Sequence, residues 1–167
     1  MYLRKKRAWL KMREKRKDEK MKVAIGGQGS AFLLKETVKK YLEENGYEIF
    51  DVGQTRPEDD AFCFLDTVKG VAEKLLRGQC ERGIVMCGSG AGVSLAANKI
   101  KGIYCVPCES IFTATRIYTF NRANVMAMGA MVVTPEKACE MARAFLMSTC
   151  QGDALKYIQR VEEQYFK

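Results

Sequence analysis

The chain has 167 residues, enough for one domain with a full core, and 47% of them are apolar, which excludes a disordered chain. Its formal charge of +8 is concentrated at one end. Residues 1–20 hold ten Lys or Arg against three Asp or Glu, and the remainder holds eighteen against seventeen. A nearly neutral body argues against a nucleic-acid surface, and no run approaches the roughly 20 apolar residues of a membrane span.

Residues 1–20 read as a basic extension, disordered or helical, with Trp9 and Leu10 on one side. The plain reading is an upstream extension without function; the sharper one is a tether to nucleic acid or a membrane surface. Met21 reads as the start of a domain running to Lys167. From there strands and helices alternate. Lys22 to Gly26 is a strand, and residues 31–45 are a helix stopped by Gly46 just past its C-cap. Residues 47–52 form the second strand, followed by a long polar loop over residues 53–60. Residues 62–76 carry helical apolar spacing (Leu65, Val68, Ala72, Leu75, Leu76) and stop at Gly78.

Gly83 to Cys87 is the third strand, and Gly88-Ser89-Gly90-Ala91-Gly92 is a glycine-rich turn into a helix over residues 93–99. Strand, turn and helix in that order set Cys87 at the carboxyl end of a strand, with the following backbone N–H groups facing an anion site. That geometry suits chemistry on a phosphorylated or enolate-forming small molecule. Residues 102–106 form the fourth strand, 109–118 a helix and 125–133 the fifth strand, kinked near Gly129. Pro135 suits the first turn of a helix over residues 136–147, and a last helix covers residues 154–164. The βα repetition predicts an α/β fold, a three-layer Rossmann-like sandwich with a five-stranded parallel sheet. Ligands of such sheets sit at the carboxyl ends of strands. Three loops are expected there: Gly26 to Ala31, Cys87 to Gly92, and the region after strand four out to Asn121-Arg-Ala-Asn124.

Seven scattered cysteines and no secretory signal point to a reducing cytoplasm. Cys105-Val-Pro-Cys108 has CxxC spacing, with Cys105 read as closing a strand rather than opening a redox helix. A second CxxC and any histidine are absent, so no metal site is expected. The glycine turn alone also suits a nucleotide phosphate, but neither a Gly-Lys-Ser/Thr ending nor a placed acidic residue accompanies it.

Five ordered blocks carry a resemblance: Val23-Ala-Ile-Gly26, Cys87-Gly-Ser-Gly-Ala-Gly92, Ala96 to Ile103, Asn121-x-x-Asn124-Val-Met-Ala-Met-Gly129 and Gln159-Arg-Val161. The chain from Met21 onward resembles the ribose/galactose phosphate isomerase family, which includes type B ribose-5-phosphate isomerases, galactose-6-phosphate isomerase subunits and tetrulose-phosphate isomerases. The resemblance implies a cofactor-free aldose–ketose isomerisation of a sugar phosphate through a cis-enediol. Cys87 would be the general base, Ser89 a hydroxyl that contacts the sugar, and Gly88, Gly90, Ala91 and Gly92 the anion hole. Asn121 would contact substrate hydroxyls, in this family often across a subunit interface. Arg160 would bind phosphate, with Lys156 in the place of a second arginine. Gln28, in the first loop, is a further substrate-contact candidate. A homodimer or tetramer with interface sites is implied.

The chain departs from the ribose-phosphate branch at several positions. Gln28-Gly29 stands for Asp-His, Phe120 for the histidine that assists ring opening, and Met131 for an arginine. A four-carbon sugar 4-phosphate is already open, so a short or unusual sugar phosphate is the favoured substrate. The other reading is a catalytically impaired sugar-phosphate-binding paralogue, or a partner subunit of a hetero-oligomeric isomerase.

Overall fold

The computed structural model describes residues 20–59 and 62–165; most of the basic extension, residues 1–19, lies outside them. The elements are β1 (Lys22–Gly27), α1 (Phe32–Glu44), β2 (Glu48–Asp51), α2 (Phe64–Leu76), β3 (Arg82–Cys87), α3 (Ala91–Ala97), β4 (Cys105–Pro107), α4 (Ile111–Asn121), β5 (Val125–Gly129), α5 (Pro135–Met147) and α6 (Leu155–Tyr165). A short 3₁₀ turn, Gly29–Ala31, leads into α1. The five strands form one parallel sheet in the order β2-β1-β3-β5-β4.

The strands alternate apolar side chains between two cores, which is what makes the fold three layers. Val23, Ile25, Ile84, Met86, Met126 and Met128 face α1, α4 and α5, where Val38, Ile117 and Phe145 meet them. Ala24, Val85, Val125 and Ala127 face α2 and α3. The smaller strand side chains on this second face let the short α3 approach closely. Helix ends follow local chemistry. Ser110 and Thr134 cap α4 and α5 by accepting the N–H groups of Thr113 and Lys137. Gly46 follows α1 in the left-handed region, with φ of 86°.

Several boundaries differ from those the sequence suggests. The fifth strand ends at Gly129, four residues early, because the chain turns there and the N–H groups of Val132 and Val133 bond back to the Gly129 carbonyl. The fourth strand starts at Cys105, so Cys105 opens it rather than closing it. Side chains hold the backbone around that start: Asn124 accepts from the Tyr104 N–H, and Asn98 accepts from the Cys105 N–H. Helix α4 runs three residues further than its apolar pattern, to Asn121, and stops where Arg122 turns left-handed.

Among the described residues two charged side chains are buried. The Lys35 ammonium is fully enclosed between Asp51 (2.7 Å), Glu36 (2.6 Å) and the Gln54 carbonyl (2.8 Å). Burial pushes the Asp51 carboxyl up, but hydrogen bonds from Lys35, Lys39 and the Gly53 N–H outweigh it and hold the group below the usual carboxylate range. Arg82 closes the opposite end of the sheet. It donates to the carbonyls of Phe145 and Ser148 at the end of α5 and lies 3.5 Å from the centre of the Tyr118 ring.

Candidate active site at the β1–β3 switch point

Strands β1 and β3 are neighbours, yet their chains leave in opposite directions. β1 passes to α1 on one face, and β3 passes to α3 on the other. Such a divergence opens a crevice at the carboxyl ends. Cys87, the last residue of β3, stands at that point half-buried, and its Sγ accepts the Gly90 N–H at 3.2 Å.

The turn after Cys87 fits only glycine at two places. Gly90 has φ of 79°, and a Cβ there would lie 2.9 Å from the Met128 carbonyl carbon. Gly129, opposite Cys87 in the sheet, lies against Ser89 so closely that a Cβ would come within 2.5 Å of its carbonyl carbon. The carbonyls of Cys87 and Gly88 accept the N–H groups of Ala130 and Met131, both at 2.9 Å, so the turn is stitched to the end of β5. Ser89 is exposed and its Oγ accepts the Ala91 N–H. The Ser30 hydroxyl and the Met131 thioether flank Gly88, 3.3 and 3.5 Å from where its Cβ would be. Ala91 and Gly92 form the first turn of α3, whose leading N–H groups have no intrahelical acceptors.

On the β1 side, Gly27 pairs with Met86, which sets Gln28 level with Cys87. The Gln28 side-chain oxygen is buried and has no hydrogen-bond partner among the described residues. Cys87, Ser89, the four turn residues and Gln28 therefore come together, as the sequence suggests.

Asn121, Arg160 and Lys156 do not join them within one chain. In each βα unit the helix carries the chain back to the amino edge of the sheet. Asn121 ends α4 there, four residues before β5, so the segment 121–124 does not reach the ligand-binding edge expected of it. Helix α6 starts beside it. The Gln151 and Gly152 N–H groups bond to the Thr119 carbonyl, and the Glu162 carboxylate bridges the Gly102 N–H and the Tyr104 hydroxyl. Lys156 pairs with Asp153, and the Arg160 guanidinium lies 5.6 Å from the Tyr157 ring centre. No described residue of α6 is buried, and Tyr157, Ile158, Val161 and Tyr165 are exposed. At the carboxyl edge Ile111, Phe112, Met131 and Val132 are exposed as well.

Cys80, Cys105 and Cys108 are buried in the packed interior. Burial pushes Cys80 up to about 11, and Cys105 and Cys108 up to about 12, which fits packing rather than redox chemistry for the CxxC pair. Among the described residues, no three Cys, Asp or Glu side chains are grouped to hold a metal ion. Sequence reasoning missed Gln54 and the Lys35–Asp51 pair; the available signal was a lysine on the apolar stripe of α1.

Residues 23–163 match the ribose/galactose isomerase family model. The chain belongs to that family. The match spans both halves just described, from the strand before Gln28 to the helix that carries Arg160. A 4-deoxy-4-sulfo-D-erythrose isomerase of a Clostridium species is 41% identical over 126 residues, covering 75% of this chain and 79% of that protein. A D-erythrulose-4-phosphate isomerase of Pectobacterium atrosepticum is 33% identical, covering 79% and 86% of the two chains. The solved ribose-5-phosphate isomerase B of Clostridium thermocellum superposes with a TM-score of 0.81 at 34% identity, covering 87% of this chain and 99% of that one. This member of the ribose/galactose isomerase family thus shares both sequence and the five-stranded α/β architecture with sugar isomerases.

Proposed function

We propose that this protein interconverts an aldose and a ketose of four carbons bearing a terminal anionic group, through a cis-enediol. The observation that carries the reading is Cys87 at the switch-point crevice, its sulfur facing a backbone donor and followed by a turn of close-packed glycines. The Cys87 thiolate removes the C2 proton of the aldose. The electron pair forms the C1–C2 double bond, and the carbonyl oxygen takes the charge. The turn from Gly88 to Gly92 is the anion hole that stabilises this oxygen. Transfer of the O2 hydroxyl proton to O1, with return of the abstracted proton from Cys87 to C1 as the C1–C2 electron pair takes it up and C2=O2 forms, gives the ketose and regenerates the thiolate. Ser89 contacts the sugar, and the unpartnered Gln28 oxygen accepts from a substrate hydroxyl.

Asn121, Arg160 and Lys156 complete the site from a second copy of the chain. In support, they sit at the amino edge with an uncovered apolar helix, while the carboxyl edge offers its own exposed apolar rim. A two-fold pairing that lays one edge on the other covers both. Arg160 and Lys156 then hold the terminal anion.

The substrate length follows from chemistry that the chain lacks. With Phe120 before Asn121 and no histidine anywhere, no imidazole is present to open a sugar ring. A four-carbon sugar substituted at C4 has no hydroxyl that closes a five- or six-membered ring. Two relatives named for four-carbon substrates, one a sulfonate and one a phosphate, support this choice. Unpaired thiols at all seven cysteines fit a reducing cytoplasm.

The test is proton exchange in D2O, followed by NMR, with 4-deoxy-4-sulfo-erythrose, erythrose 4-phosphate, their ketoses and ribose 5-phosphate. Deuterium entering C1 or C2 of a four-carbon compound is expected. Faster turnover of ribose 5-phosphate would overturn the substrate class, and no exchange with any compound would overturn the isomerase reading.

A further inference from the structure

We propose that Gln54 is a positioning residue, which fixes the Gln28–Ser30 turn in its substrate-ready shape; this rests on the isomerase reading above. Gln54 lies in the loop after β2 and is only 2% exposed. Its side-chain oxygen accepts the Gly29 N–H at 2.7 Å, and its side-chain amide donates to the carbonyls of Pro57 (3.1 Å) and Asp59 (3.2 Å). Its own backbone N–H donates to the Gly27 carbonyl at 3.0 Å, and its carbonyl accepts the buried Lys35 ammonium. One side chain therefore ties the exit loop of β2 to the exit loop of β1.

The two loops touch backbone to backbone, since a Cβ on the preceding Gly53 would lie 2.6 Å from the Gly27 nitrogen. Within the turn the Ala31 N–H donates to the Gln28 carbonyl and the Phe32 N–H to the Gly29 carbonyl, and Gln54 accepts the Gly29 N–H that these bonds leave over. Gly29 is exposed, has φ of 53°, and has no neighbouring heavy atom within 4 Å of its Cβ position. Of its two neighbours, Gln28 follows the Gly27–Met86 pair and so lies level with Cys87, and the Ser30 hydroxyl flanks Gly88. Glycine is the most mobile residue of a chain, so a free Gly29 would leave both side chains to be ordered by substrate at each binding event. With Gln54 in place that ordering is complete before substrate arrives.

The full chain with Gln54→Met and with Gln54→Glu tests this, using the four-carbon substrate that exchanges fastest in D2O. Methionine keeps the volume and removes all three side-chain hydrogen bonds; glutamate keeps the acceptor for Gly29 and loses both donors. Gln54→Met is expected to raise KM about tenfold, to leave kcat within about threefold, and to abolish amide-exchange protection at Gly29. Gln54→Glu is expected to restore KM and the Gly29 protection. A merely structural role would lower the active fraction and apparent kcat without moving KM. An unchanged KM in Gln54→Met, or an equal rise in both variants, overturns the proposal. If the wild-type protein exchanges no substrate, the isomerase reading fails, and Gly29 protection retained in Gln54→Met would separately remove the positioning role.

Discussion

Gly129 and Ser89 meet backbone to backbone: a Cβ on Gly129 would lie 2.5 Å from the Ser89 carbonyl carbon and 2.6 Å from its oxygen. The end of β5 is therefore the floor on which the Cys87–Gly92 turn rests. Gly129→Ala cannot be absorbed by a flexible side chain, because the obstructing atoms are main chain. The expected result is a loss of about 1–3 kcal/mol in stability from overpacking. The kcat is expected to fall about tenfold or more, since the turn is displaced relative to Cys87. Urea unfolding and steady-state kinetics check both. Wild-type kcat in a folded Gly129→Ala protein would show that the turn's position is not what sets the rate.

Cys87 is the one thiol in the crevice, and its removal separates base chemistry from binding. Cys87→Ala is expected to lower kcat about a thousandfold, as loss of a general base does, with KM changed far less. Alkylation gives an independent measure. At about pH 8 iodoacetamide should modify Cys87 and the exposed Cys63 and Cys150. It should spare Cys80, Cys105 and Cys108, whose thiols burial pushes to about 11 or 12. Substrate should protect Cys87 alone. Equal protection of Cys63 and Cys150 would place the ligand elsewhere.

The local half of this site was legible in the sequence, and the reason is that it is built locally. Apolar residues, a cysteine, glycines and a helix in succession mark the Cys87–Gly92 turn in the sequence, although the end of β5 holds it in place. The alternation of strands and helices likewise specified the parallel sheet. What failed depends on tertiary contact. β5 ends where the Val132 and Val133 N–H groups turn back to the Gly129 carbonyl, at a point where Gly129 lies against Ser89, 40 positions away in the sequence. Asn121 follows β4 in the sequence, but the helix between them carries it back to the amino edge, ahead of β5. Gln54 looked like one polar residue in a polar loop, and only its bond to Gly29 distinguishes it.

Separation of Cys87 from Asn121 within one chain leads to a complementation test. Cys87→Ala and Asn121→Ala are each expected to be nearly inactive when pure. If the site is shared across a two-fold interface, a mixed dimer contains one doubly damaged site and one intact site. Unfolding and refolding an equal mixture should then recover about a quarter of wild-type activity. Sedimentation of the wild-type protein and each variant checks that all form the proposed dimer. No recovery in a mixture that forms mixed dimers would mean that Asn121 acts within its own chain or not at all.

The Lys35–Asp51 pair ties stability to pH in a direction the structure fixes. Asp51 is held below its unfolded value, so its contribution is fully present above about pH 4 and is lost as pH falls through the folded value. Asp51→Asn leaves the enclosed Lys35 ammonium with Glu36 as its remaining carboxylate. Because Glu36 still compensates the charge, the loss of one of the two carboxylate partners of Lys35 is expected to cost about 1–3 kcal/mol at pH 7. Below about pH 4 the wild-type protein loses the same interaction by protonation, so the gap between the two proteins should close. Urea unfolding between about pH 7 and pH 3 measures it. A gap that stays constant across that range would mean that volume or backbone geometry, rather than the charge on Asp51, sets the cost. Because Lys35 also holds the Gln54 carbonyl, the same variant should loosen the Gly29 turn. Its KM should therefore rise together with its loss of stability, linking the buried charge to the substrate side of the crevice.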